Sequence, residues 1–246
     1  MPVPVRNWYS PPLPFVRAQG CETVSGPFSI QNWQAWFKDW AFFVDGFLRT
    51  LYISLLGLAF TLVIGLVVGV LLCGRNRLVI SLCKGYLSFF QNTPLVIQIF
   101  IYYNVLPKLG VRLSVIVIGV MGLALYTGAY AADIVHSAIK AVPTGQMEAA
   151  SSQGFSYLQA MCYVILPQAI KIGLPPMTNQ AVNLIKNSSV LAVIAGGELM
   201  YCADSWSGSN LIYGPTFVMT GVLYLCICLP ISLLARYLEK RSVRNV

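Results

Sequence analysis

Lys186 stands in an apolar stretch, about 172–196, that otherwise lacks Asp, Glu, Lys and Arg. An ionisable group at membrane depth costs several kcal/mol unless it faces a polar cavity or a partner, so such a residue is functional by default. Its ammonium would attract a carboxylate. Asn179, Asn183, Asn187, Ser188 and Ser189 would supply hydrogen bonds along the same segment. The structural alternative is an ion pair of Lys186 with Glu198 or Asp133. Gln98 and Tyr102, with Asn104, form a second polar set in an apolar run, serving either a path or contacts between helices.

A second group suits docking rather than chemistry. Glu148-Ala-Ala-Ser-Ser-Gln-Gly154 is followed by nine residues and then Val-Ile-Leu-Pro167. Thr144 is a candidate N-cap for a short helix, and Gly154 can end it in the left-handed conformation that side chains disfavour. Ala149, Ala150, Ser151 and Ser152 keep that helix slim, so another surface can approach its backbone, and Glu148 supplies a charge that orients the partner. Ser156 is positioned to cap a second helix reaching Leu166, where Pro167 interrupts it. A solvated interhelical loop, the plainer reading, needs neither the small residues nor the glycine.

Catalysis has little to stand on. The chain has one His, no phosphate-binding glycine loop and no nucleophile–base constellation, and its seven cysteines lack paired metal-ligand spacing. No catalytic, metal or cofactor residues are assigned. Cys73, Cys83, Cys162, Cys226 and Cys228 fall within or beside apolar runs as small fillers.

The elements that position these residues follow from composition. With 57% hydrophobic and 10% charged residues and a mean hydropathy of +0.70, the 246-residue chain has too little polar surface to solvate a globular domain. The class is an all-α polytopic membrane protein. Charge-free runs at 51–73, 85–107, 113–132 and 211–235 approach or exceed the roughly 20 residues of a spanning helix. A fifth span at 172–196 carries Pro175 and Pro176 and is expected to be broken or kinked there.

If these five spans start outside, Arg75, Arg77, Lys84, Lys140, Lys171, Arg236, Lys240, Arg241 and Arg244 lie inside and only Lys108 and Arg112 outside. That bias predicts the N-terminus out and the C-terminus in. The net charge of +8 is then a topology signal, and no soluble basic domain suggests nucleic acid binding. Residues 1–45 lack the pattern of a cleavable signal and read as an extended, Pro-rich arm followed by an outer helix. On that helix Trp33, Trp36, Phe37, Trp40 and Phe43 form a stripe suited to the membrane interface or to packing on the bundle. Cys21 and Cys202 share the outer side, a disulfide-permissive compartment. Gly65 and Gly69 make a GxxxG pair whose plainer reading is close packing within one chain.

Seven short motifs stand in sequence order around the docking segment: Gly46-Phe-Leu-Arg-Thr50-Leu, Asn92-Thr-Pro94-Leu, Gly128-Ala-Tyr130, Val142-Pro-Thr-Gly-Gln146, Ile165-Leu-Pro-Gln168, Pro175-Pro-Met-Thr-Asn179 and Lys186-Asn-Ser-Ser189. From about Gly46 to Arg241 the chain resembles permease subunits of bacterial polar amino acid ATP-binding cassette importers, and the segment 136–171 resembles their cytoplasmic EAA loop. The resemblance implies a type I importer permease fold in the bacterial inner membrane, with residues 46–241 as the transmembrane domain and 242–246 as a cytoplasmic tail. It implies that Glu148, Ala149, Ala150, Gly154 and Pro167 belong to the contact with an ATP-binding subunit dimer, which alone binds ATP and magnesium. A second permease, either another copy or a sister chain, and an extracytoplasmic substrate-binding protein complete the implied assembly.

Gln91, Asp133, His136 and Asn187 depart from the commoner family pattern, which leaves the EAA core intact but blurs the substrate beyond a lean to acidic or amide amino acids. An ion-coupled secondary transporter is the alternative, yet it would be expected to carry coupling carboxylates inside spans. Asp133 alone comes near one.

Overall fold

The computed structural model describes residues 26–243, and these form helices without strands. Helix α1, Ile30–Lys38, is capped by the Ser29 hydroxyl and turns at Asp39 into α2, Trp40–Leu72. Helix α2 begins well before its charge-free core because Asp45 and Arg49, one turn apart, neutralise each other at 2.8 Å on its exposed face. The aromatic stripe divides between its two readings. Trp36 and Phe43 are buried, with Phe43 5.6 Å from the Trp206 ring, whereas Phe37 and Trp40 are exposed.

Helix α5, Val115–Ala141, runs parallel to α2. A Cβ added at Gly57 would meet Leu123, one at Gly65 would lie 2.6 Å from the Ala131 Cβ, and one at Gly69 would lie 2.6 Å from the Val135 Cβ. Both numbers rise together along the seam. The GxxxG pair is therefore an internal seam, small enough for two backbones to meet. Because α2 and α5 point the same way, the chain between them returns to the end where α2 began.

That return is a correction to the expected single span at 85–107. It consists of two helices, α3, Arg77–Asn92, and α4, Leu95–Asn104, separated at Thr93–Pro94. Pro94 has no N–H to continue the ladder, so the last carbonyls of α3 need other donors. Gln98, only 1% exposed, supplies them: its Nε2 donates to Phe90 O at 3.3 Å and Thr93 O at 3.0 Å. On α5, Leu125 O accepts from Tyr86 and Ala129 O from Gln91, which fastens α3 across it.

Next come α6, Thr144–Ser152, and α7, Tyr157–Ala160, then a π-helical turn at Met161–Ile165 that leads into α8, Leu166–Asn187, and a 3-10 segment, Ser188–Ile194. Two expectations change here. Pro167 does not interrupt the helix, because the widened π turn before it absorbs the ring and the missing donor. Pro175 and Pro176 lie inside α8 without ending it, and the helix gives way only after Asn187.

Helix α9, Leu199–Asn210, and helix α10, Gly214–Val243, close the fold. Four stretches among the described residues are long and apolar enough to cross a membrane alone: Trp40–Leu72, Val115–Ala141, Tyr157–Ile194 and Gly214–Tyr237. The central core joins Ile53, Ile99, Leu123, Leu184 and Leu191. One end is sealed by Trp36, Phe43, Leu199 and Trp206, the other by Ile139, Met161, Ile165 and Ala169. Cys21 lies outside the described residues. Cys202 is 3% exposed against Gly46, and burial pushes its thiol up to about 11, so it is a packed side chain rather than an accessible one.

Candidate functional site

At the end sealed by Ile139 and Met161, α6 projects as a nine-residue helix. Thr144 is its first helical residue and not the cap, since Pro143 occupies that place without a side-chain bond. Gly154 has φ +85, and two bonds close the turn, Gly154 N to Ser151 O at 3.0 Å and Phe155 N to Ala150 O at 3.1 Å. Ser156 caps the next helix in a capping box with Gln159. Glu148, Ala149, Gly154 and Pro167 are exposed. Ala150 is buried, so it seats α6 on the bundle instead of facing outward. Gln168 donates to Gln146 at 3.2 Å and to Val164 O at 2.9 Å, which clamps α6 to the π turn. The result is a slim, exposed helix held at a fixed angle.

On α8, Asn179, Asn183 and Lys186 are exposed and spaced as one face, three and four residues apart. Lys186 and Ser189 line a cleft of about 320 Å³ against α10, whose Phe217, Thr220 and Tyr224 form the facing wall. Met200 closes one side, and Gly221 leaves open space where a side chain would stand. Neither Glu198 nor Asp133 pairs with Lys186, whose ammonium has no carboxylate within 4.0 Å among the described residues. Ser188 is buried and donates to Ile185 O, and Ser189 donates to Lys186 O. Asn187 is half-buried. Gln98 and Tyr102 stand apart from this face: Gln98 holds the α3–α4 break, and Tyr102 packs on Gly122 in the central core.

Residues 42–244 match the family model for the binding-protein-dependent transport system inner membrane component. The chain belongs to this family. It is similar to the probable glutamine ABC transporter permease protein GlnM of Bacillus subtilis (strain 168), 42% identical over 85% of this chain and 97% of that protein. The probable amino-acid ABC transporter permease protein YckA of the same organism is 35% identical over 88% of this chain and 96% of its own length. Among solved structures, that of an amino acid ABC transporter with histidines superposes with a TM-score of 0.78 at 30% identity, covering 85% of this chain and 98% of the other. An inward-facing MetNI methionine ABC transporter shares the fold with a TM-score of 0.66 at 19% identity, covering 82% and 98%.

The permease is thus a non-catalytic membrane subunit of the polar amino acid class of ABC importers with a type I fold, and the family implies ATP-binding and substrate-binding protein partners. Family membership removes the ion-coupled transporter. Sequence reasoning missed the α10 wall of the permease's cleft. Thr216, Thr220 and Tyr224 recur every four residues in a run that is free of charge, and that spacing was the available signal.

Proposed function

We propose that this permease carries an amino acid with an amide or acidic side chain, glutamine foremost, past the face formed by Asn179, Asn183 and Lys186. The observation that carries this reading is Lys186, an exposed cation on a membrane-crossing helix with no carboxylate partner among the described residues. The glutamine-type relatives support it. A substrate carboxylate would pair with the ammonium, while the asparagine amides hydrogen-bond the remaining polar groups.

In this reading the N-terminus is outside, the C-terminus is cytoplasmic, and α6 docks on an ATP-binding subunit dimer that holds ATP and magnesium. A second permease, the same chain or a sister, faces the α8 surface, and a binding protein delivers substrate from outside. Closure of the ATPase dimer moves the two α6 helices and rocks the bundles between outward and inward states.

Lys186→Ala is expected to lower uptake in proteoliposomes about tenfold, the value of one charge-assisted contact, with Lys186→Arg restoring only part because its fork is larger and planar. Gly221→Leu is expected to block uptake by filling the cleft, since its Cβ would meet nothing within 4 Å. Normal uptake in all three variants would remove the path from this face. Orientation is tested with an impermeant thiol reagent on a background lacking native cysteines. A cysteine at Ser209 is expected to label only from outside and one at Ser151 only from inside, and external labelling at Ser151 would reverse the topology.

A further inference from the structure

We propose that Glu198 and Tyr224 are positioning residues of transport, because their hydrogen bond ties the first turn of α9 to the wall of the Lys186 cleft and makes α9 respond to what occupies it. The inference rests on the Lys186 cleft being the substrate's path.

Glu198 is a carboxylate with 0% exposure, and its oxygens accept from Met200 N at 2.7 Å, Tyr201 N at 2.8 Å and the Tyr224 hydroxyl at 3.0 Å. The two backbone bonds cap α9, which a shorter Asp or Ser would also do. What the cap does not require is the reach of glutamate to α10. Tyr224 and Met200 both line the cleft, so the residues on either side of this bond touch the same space as Lys186.

The backbone around α9 supplies a second, independent observation. Ala195 (φ 55) and Gly197 (φ 69) precede the helix and Leu211 (φ 56) follows it. Alanine and leucine crowd their own carbonyls in this left-handed region, and such residues persist where surroundings over-determine them, often at switch segments. Between these joints α9 packs through Leu199, Ala203 and Trp206 on Trp36 and Phe43. Thr50 on α2 holds its inner end by accepting from Leu199 N at 3.0 Å, and a Cβ at Gly46 would lie 2.7 Å from the Cys202 sulfur. The Tyr224 hydroxyl also interacts with the Thr50 and Ser188 side chains, so it stands where α2, α9 and the cleft wall meet.

Two variants separate the tie from the cap. Glu198→Asp keeps the charge and the backbone bonds but withdraws the carboxylate from Tyr224, and Tyr224→Phe keeps the ring but removes the donor. They are measured in the complete complex in liposomes, with its ATPase subunits and binding protein, using glutamine-stimulated ATP hydrolysis and a fluorophore on Ser209→Cys. Each single variant is expected to lower stimulation about tenfold and the double variant by much less than the product, since both remove the Glu198–Tyr224 bond while Tyr224→Phe also removes the hydroxyl's interactions with Ser188 and Thr50. In Glu198→Asp the half-saturating glutamine concentration is expected to stay within about threefold, because the cleft keeps its lining. The fluorophore's response to glutamine is expected to vanish in both. Additive losses, or wild-type stimulation in either variant, would overturn the tie. If Gly221→Leu transports normally, the path itself is wrong. If Gly221→Leu blocks uptake while Glu198→Asp and Tyr224→Phe behave as wild type, the path stands and the tie alone fails.

Discussion

Ala149→Glu and Gly154→Val are expected to abolish uptake while leaving the permease folded and in the membrane. Ala149 is an exposed methyl on the slim face of α6, so glutamate adds bulk and a second negative charge beside Glu148 where close approach is needed. Gly154 acts differently. Nothing lies within 4 Å of a Cβ there, so valine meets no obstacle, but at φ +85 it is held in a region that costs a β-branched residue about 1–2 kcal/mol or more. The turn that aims α6 should relax before the bundle is disturbed. Uptake is expected to fall at least about a hundredfold, the scale of a lost hot-spot contact. The ATPase subunit is expected to copurify poorly, and detergent-extracted protein to elute as wild type. Wild-type uptake in both variants would refute the docking role of α6.

The second large effect concerns the seam. Gly65→Leu places a side chain where even a Cβ would lie 2.6 Å from the Ala131 Cβ and 3.1 Å from the Ala131 carbonyl carbon. Backbone cannot yield as a flexible side chain does, so α2 and α5 must part. Overpacking of one or two methyl groups costs about 1–3 kcal/mol, and leucine adds more than that. The expected result is almost no monodisperse protein after extraction. Gly65→Ala should lower the thermal midpoint less severely, and Ala131→Gly on that background should recover most of the loss because it removes the opposing methyl. A Gly65→Leu permease melting at the wild-type temperature would disprove the close seam.

The cores of α2, α5 and α10 were legible as uncharged runs because hydropathy marks what a bilayer requires. The break at Thr93–Pro94 was harder to read. A proline inside an apolar run does not say whether its freed carbonyls find donors, and here Gln98 supplies them from the next helix. The same fact left the reading of Gln98 open between a path and contacts between helices, since an amide in an apolar run looks alike whether it faces a path or closes a break. In α8 the opposite happened: Pro175 and Pro176 signalled a break that the packed helix absorbs. Gly154 was readable because one glycine after small helix formers has few other uses. Ala150 was not, since only the packing of α6 separates its buried face from that of Ala149. The fate of Lys186 also depended on the fold, for Glu198 was available in sequence and is committed to α9 and Tyr224.

The parallel course of α2 and α5 bears on biogenesis. Helix α4, with 10 residues, rises only about 15 Å, half the hydrocarbon thickness, and α3 carries Arg77 and Lys84. Neither piece alone has the length and apolarity that an insertion machinery retains in lipid. Helix α5 does, and it can adopt its orientation only if the preceding chain has recrossed. The return segment should therefore settle late, drawn in as the nascent α5 zips against the glycines of α2, and a chain released from the ribosome before α5 should hold one firm crossing and a loosely attached tail.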